Sequence, residues 1–269
     1  MRVLDGPRAN LNMLRRANVR VWDNRIELVG TDDNVNRGRS GDWTLREALA
    51  DGSTSVSRKL TCDFEKYHAL DLSKDSYFER AFLPPFVLVF LIHIVRHGTV
   101  PMPHELMDEY LRIYCIEQGN WFTLRPSCDF DRPERSGVAL PPKPERFHRD
   151  ELFCRVMRVW PAIYRELDLL RALTRVLPDL EVMKDMRRDM CEKADLTVTH
   201  DGRSIDLALF DATDGGVHRR HQKADSTVQL EVPTTLGVST QCLASGLYVY
   251  RELAVSVIAR RIVEELWRQ

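Results

Sequence analysis

Between residues 195 and 209, apolar and polar positions alternate on both sides of Asp201-Gly202: Leu196 and Val198 precede the dipeptide, and Ile205, Leu207 and Leu209 follow it. Period-two alternation around Asp-Gly predicts a β-hairpin closed by a two-residue turn. The register follows, with His200 facing Arg203, Val198 facing Ile205, Thr197 facing Asp206 and Asp195 facing Ala208. Because side chains alternate along a strand, Asp195, Thr197, Asp206 and Ala208 share one face, and the five apolar residues form the opposite, buried face. Asp195 and Asp206 are then diagonal neighbours, with Cα atoms roughly 7–8 Å apart.

Other stretches read as helices. Residues 86–98 are apolar on nearly every side and predict a buried helix starting after Pro84-Pro85. Residues 103–119 are amphipathic and predict a second helix, closed by Gly119. Leu152, Val156, Val159, Ile163, Leu167, Leu170 and Leu173 recur at helical spacing, giving a long core-facing stripe with kinks or breaks at Pro161 and Pro178. Short extended runs follow at 194–198, 204–211, 227–232 and 246–250, and the C-terminal residues 251–269 form an amphipathic helix.

The N-terminal part is mixed. Residues 20–30 predict a hairpin around Asp23-Asn24-Arg25, followed by a polar loop. Thr44 and Glu47 have capping-box spacing before a short helix that ends at Gly52. With residues 53–60 it would open a helix-turn-helix unit, but the plainer reading is one helix and a surface loop. The proline-rich segment 126–148 is a linker or long loop, separating a mostly helical region (1–125) from an α/β domain (149–269). The fold class expected is α+β: a helical N-terminal region followed by a small mixed sheet flanked by helices.

The composition changes this picture little. The chain has 269 residues, 43% apolar and 29% charged, which suits a globular protein. Its 39 basic and 40 acidic residues leave a formal net charge of −1, so any nucleic-acid surface must be local. Six dispersed cysteines without a C-x-x-C pair fit free thiols in a reducing compartment. The N-terminus shows no secretory pattern and residues 81–95 are too short to span a bilayer, so the expected location is cytoplasmic, away from membranes.

Two features carry candidate chemistry. His93 and His97 stand four apart, a metal-ligand spacing, but no third ligand is evident in the sequence, and a packed helix end is the preferred reading. The acids of the hairpin are the stronger candidates. Two aspartates on one strand-pair face repel, and a hard divalent cation such as Mg²⁺ or Mn²⁺ would relieve that repulsion. The plain alternative is a half-exposed sheet face that uses aspartates as its polar residues.

A helix, then a hairpin with an aspartate on its first strand and an acid on its second, then a strand and a helix resembles the PD-(D/E)XK nuclease superfamily. The resemblance covers about the last 100 residues and lies in element order. It implies a metal-dependent nuclease of restriction-endonuclease-like fold. Asp195 and Asp206 would be the catalytic metal ligands, with Glu166 or Asp185 as an additional acid from an upstream helix. The chain departs from the pattern where Ala208 stands in the lysine position and Ala194 in place of the proline. A migrated basic residue would come from residues 218–223: Lys223 as the catalytic residue in place of the missing lysine, with His218, Arg219 and Arg220 on the phosphate and a histidine, His218 or His221, as a general base. The plainer reading of that segment is a solvated loop. The alternative function is a non-catalytic nucleic-acid-binding or assembly subunit of a multiprotein complex, of the transposition or defence kind, using a degenerate nuclease fold.

Overall fold

A computed structural model describes residues 18–22, 25–29, 86–97, 99–124, 146–185, 188–189, 194–213, 230–243 and 247–268. The elements, in chain order, are β1 (Asn18–Trp22), β2 (Arg25–Val29), α1 (Phe86–His97), α2 (Pro103–Tyr114), β3 (Cys115–Gln118), β4 (Trp121–Leu124), β5 (Phe147–His148), α3 (Arg149–Val176), β6 (Glu181–Asp185), β7 (Leu196–His200), β8 (Arg203–Asp211), β9 (Leu230–Thr234), β10 (Thr240–Cys242), β11 (Tyr248–Tyr250) and α4 (Glu252–Arg268). The fold is α+β, as the alternation of helical and strand periods implies.

A six-stranded sheet runs β2-β1-β6-β7-β8-β9. Its pairs are antiparallel except β8–β9, which are parallel. The β7–β8 hairpin has the register read from the sequence, with Thr197 opposite Asp206 and His200 opposite Arg203. Asp201 (φ 47°) and Gly202 (φ 79°) both lie in the left-handed region that a type I′ turn requires. The N-terminal hairpin forms as well, pairing Trp22 with Arg25, and its first strand joins β6 at the sheet.

Three expectations are corrected. The second helix stops at Tyr114, and residues 115–118 instead form β3, which turns through Gly119 (φ 63°) into β4. Gly-Asn between two short extended runs is itself a hairpin signal, and here it outweighs helical periodicity. The long helix runs unbroken through Pro161 and ends at Val176. Beyond Pro178 the chain is strand β6 rather than helix, so Asp185 is a strand residue. That strand was hidden because Lys184, fully buried, occupies a core position that an apolar residue would normally mark. Residues 44–60, with the proposed cap and helix-turn-helix, fall outside the described residues.

Val182, Leu196, Val198, Ile205 and Leu207 are buried on one sheet face, against which α3 and α4 lie. The stripe of α3 faces this core, with Leu152, Val156, Leu167, Leu170 and Leu173 fully buried. The apolar core is continuous from α1 through α3 to the sheet and α4. Trp160 ties these parts together by donating its indole N–H to the Pro101 carbonyl at 2.7 Å. Phe147–His148, at the end of the proline-rich segment, pair with β4 as a third strand. Among the described residues no helix is long and apolar enough to cross a membrane. Cys115, Cys154 and Cys242 are free thiols.

Candidate functional site

Two charged clusters lie about the interior strands β6, β7 and β8 of the sheet. The first centres on Lys184, whose ammonium lies between carboxylates: it ion-pairs with Glu166 of α3 and with Asp189 at 2.6 Å, and donates to the Asp195 carbonyl at 3.3 Å. An unpaired buried ammonium would cost several kcal/mol, so this position is tolerable only with such partners. Burial alone would lower the Lys184 pKa, but Asp189, Glu166 and Asp195 overcome it and hold the group above the ordinary lysine range. Burial pushes Glu166 up to about 8, assisted by the negative charges of Asp195 and Asp189 and opposed by Lys184.

The second cluster surrounds Asp206 on the other sheet face. Its Oδ1 accepts from the Thr197 hydroxyl at 2.8 Å, and its Oδ2 accepts from Arg188 Nη2 at 2.7 Å. Arg188 also donates to Thr197 Oγ1 at 3.1 Å, and its backbone N–H donates to Asp185 Oδ1 at 3.2 Å. Asp206 and Thr197 are only 3% and 2% exposed. The acid-bearing face is thus covered, and not the half-exposed polar face that the alternation suggested. A central strand of a six-stranded sheet has neighbours on both edges, and here an arginine covers the acids.

Asp195 precedes β7 and folds back on the pair. Its backbone N–H donates to the Leu207 carbonyl at 2.9 Å, and its Oδ2 accepts from the Leu209 N–H at 2.6 Å. That carboxylate continues the ladder past the end of the strand. Asp195 and Asp206 answer different partners: Asp195 lies outside strand β7 and its charge acts on Lys184 and Glu166, whereas Asp206 meets Thr197 and Arg188. Ligand oxygens from Asp195, Asp206 and Glu166 do not gather at one point: among the described residues the one converging set of three His, Cys, Asp or Glu ligands lies elsewhere. The hairpin acids therefore do not fit a shared Mg²⁺ or Mn²⁺ as they stand. Lys223, His218, Arg219, Arg220 and His221 fall outside the described residues.

The converging set joins His93 and His97 of α1 with Glu109 of α2. Glu109 is the third potential ligand that sequence reasoning missed. The available signal was its place on the next amphipathic helix, but the way α2 folds back beside α1 is a tertiary fact.

At the far end of the hairpin a cavity of about 460 Å³ opens between the end of α3, the Asp201 turn and α4. Its lining includes His200, Arg203 and Trp267. Trp267 is 69% exposed, with the His200 ring edge-on to it at 6.1 Å. Arg203 donates to the Leu266 carbonyl at 3.2 Å, which ties the turn to α4.

Fold and site together define an α+β chain whose mixed sheet carries compensated acids on both faces and an aromatic cavity at one end of its hairpin. No protein-family model, no curated protein and no solved structure matches it.

Proposed function

We propose that the sheet and its flanking helices form a non-catalytic, nucleic-acid-binding subunit built on a nuclease-like arrangement. One observation carries this reading: the acids that a phosphodiesterase would offer to metal are closed by the protein's own cations, Asp206 by Arg188 and Glu166 by Lys184. Both Asp206 oxygens accept hydrogen bonds, and the Lys184 ammonium stands against Glu166, so neither carboxylate faces an ion without competition. Ala208, where the resemblance calls for a lysine, agrees with lost chemistry. Resemblance of element order alone assigns no activity, so the site's own chemistry decides.

Binding has a candidate surface in Trp267. The indole is 69% exposed on a helix that also exposes Arg261 and Arg268, and an exposed aromatic face on a basic helix suits stacking on unpaired bases.

A second reading, the metal-dependent nuclease, is favoured by the crowding of Glu166, Asp189 and Asp195 around a single ammonium. Extra negative charge there would attract Mg²⁺ or Mn²⁺.

The deciding experiment couples Mn²⁺ calorimetry of the wild type and Asp195→Ala with cleavage and anisotropy assays on single- and double-stranded DNA and RNA. The binding reading expects no cleavage, a Mn²⁺ isotherm that Asp195→Ala leaves unchanged, and salt-sensitive binding weakened by Trp267→Ala. Cleavage that disappears in Asp195→Ala overturns it in favour of the nuclease. Binding of a protein partner without nucleic-acid affinity would overturn the nucleic-acid part alone.

A further inference from the structure

His93 and His97 lie one helical turn apart on α1, and their rings pack at 4.4 Å between centroids. Glu109 reaches them from α2. Its Oε2 lies 3.8 Å from His93 Nδ1 and 4.0 Å from His97 Nε2, and the three ligand atoms all lie within 4.8 Å of one another. The other oxygen, Oε1, accepts from Arg112 Nη2 at 2.7 Å, which fixes the direction of the carboxylate. Such an outer partner is what orients a ligating carboxylate in metal centres.

The cluster contains an unanswered group. His93 is 7% exposed, and its Nδ1, turned toward Glu109, has no hydrogen-bond partner. Buried polar atoms in folded proteins are nearly always satisfied, so an orphan aimed into a set of ligands asks for something between them. The apolar residues around it, Leu91, Ile92 and Ile94, are fully buried and supply no donor or acceptor from their side chains.

We infer that His93, His97 and Glu109 form a binding site for a divalent transition-metal ion, with Zn²⁺ the ion best suited. Two imidazoles and one carboxylate are a donor set for borderline-soft ions, not for Mg²⁺ or Ca²⁺, which prefer oxygen throughout. Zn²⁺ takes imidazole nitrogen at about 2.0–2.1 Å and carboxylate oxygen at about 2.0–2.2 Å, which places tetrahedral ligands roughly 3.3 Å apart. The His93–Glu109 spacing of 3.8 Å is wider by about 0.5 Å, a small side-chain adjustment, and the longer spacings close by rotation of a more exposed side chain. His97 is that side chain, at 52% exposure, while His93 and Glu109 hold fixed positions at 9% each. Its exposure also opens the fourth coordination position to water, as in centres with three protein ligands. The ion would join α1 to α2 across their short connection and satisfy the buried nitrogen.

This inference stands apart from the reading of the sheet, since none of its residues belongs to either charged cluster there. Metal-stripped full-length protein is titrated with Zn²⁺ by calorimetry, and with Co²⁺ by visible absorption, in the wild type, His97→Ala, Glu109→Gln and Asp195→Ala. His97→Ala removes a half-exposed side chain, and circular dichroism confirms that the fold is retained. The expected result is one equivalent of Zn²⁺, four-coordinate Co²⁺ bands, and affinity weakened on the order of 100-fold or more in His97→Ala and Glu109→Gln, but unchanged in Asp195→Ala. Absence of stoichiometric binding, or binding that survives both substitutions, overturns the site. Loss in Asp195→Ala alone would also overturn it and move the ion to the hairpin.

Discussion

The charged centre of the sheet and the histidine pair of α1 set carboxylates against different partners, lysine and arginine at the sheet and imidazoles at the helix pair. At the sheet, each acid has an internal partner: Lys184 answers Glu166 and Asp189, Arg188 answers Asp206, and the Leu209 amide answers Asp195. At the helix pair, one carboxylate faces two imidazoles, and a buried ring nitrogen has no hydrogen-bond partner. The lesson concerns where an external ion belongs. A set of acids attracts attention in a sequence, but a cation drawn from the chain itself can complete it. A less conspicuous pair of histidines can be left incomplete by the same fold.

The largest effect expected on this contrast comes from Lys184→Met. Removing the ammonium leaves Asp189, and Glu166 wherever it is ionised, without its cation, and loss of one partner of a buried pair costs about 3–5 kcal/mol. Urea denaturation measures it. A loss below about 1 kcal/mol would mean that the carboxylates at the sheet do not need Lys184, and the contrast would collapse.

Glu166 should then give the sheet a pH signature. Its folded-state pKa of about 8 lies above the ordinary 4.5, so across that window the folded protein keeps a proton that the unfolded chain releases. Stability from this residue is fully present below about 4.5 and is lost as pH rises toward about 8, by a few kcal/mol at most. Urea midpoints between pH 5 and 8 should fall more steeply in the wild type than in Glu166→Gln. Equal slopes would show that Lys184 keeps Glu166 ionised throughout.

On the helical side, free Zn²⁺ at 100 times its dissociation constant should stabilise the fold by about 2.7 kcal/mol. The thermal midpoint of the metal-stripped wild type would rise by several degrees, and that of His97→Ala would not. An equal rise in both would erase the distinction between the two regions.

The smallest effect tests the turn that sets the acids in register. A Cβ added at Gly202 meets no atom within 4 Å, so Gly202→Ala costs only the strain of φ +79°. That strain is worth about 1–2 kcal/mol. A chemical-denaturation loss in that range, without change in amide exchange at Thr197, would show that the register survives on pairing alone.

The hairpin was legible from the sequence because strand period, Asp-Gly turn chemistry and the buried apolar face all depend on neighbours within about fifteen residues. The stripe of α3 and the apolar α1 were legible for the same reason. Strand β6 was not, because Lys184 at a core position is affordable only when Glu166 of α3 and Asp189 converge on it. The end of α2 was misread since helical spacing continued past Tyr114 while the Gly119 turn and pairing with β4 claimed the next residues.

By itself, then, the sequence determined the α+β class and the hairpin register. These follow from backbone periodicity and turn stereochemistry, which act locally. Only the tertiary structure decided that Asp206 meets Arg188, that Lys184 stands among the acids, and that Glu109 completes the two histidines. Each of these is a meeting of side chains from different elements. Charge compensation acts through space over a few ångströms, and separation along the chain carries no record of it.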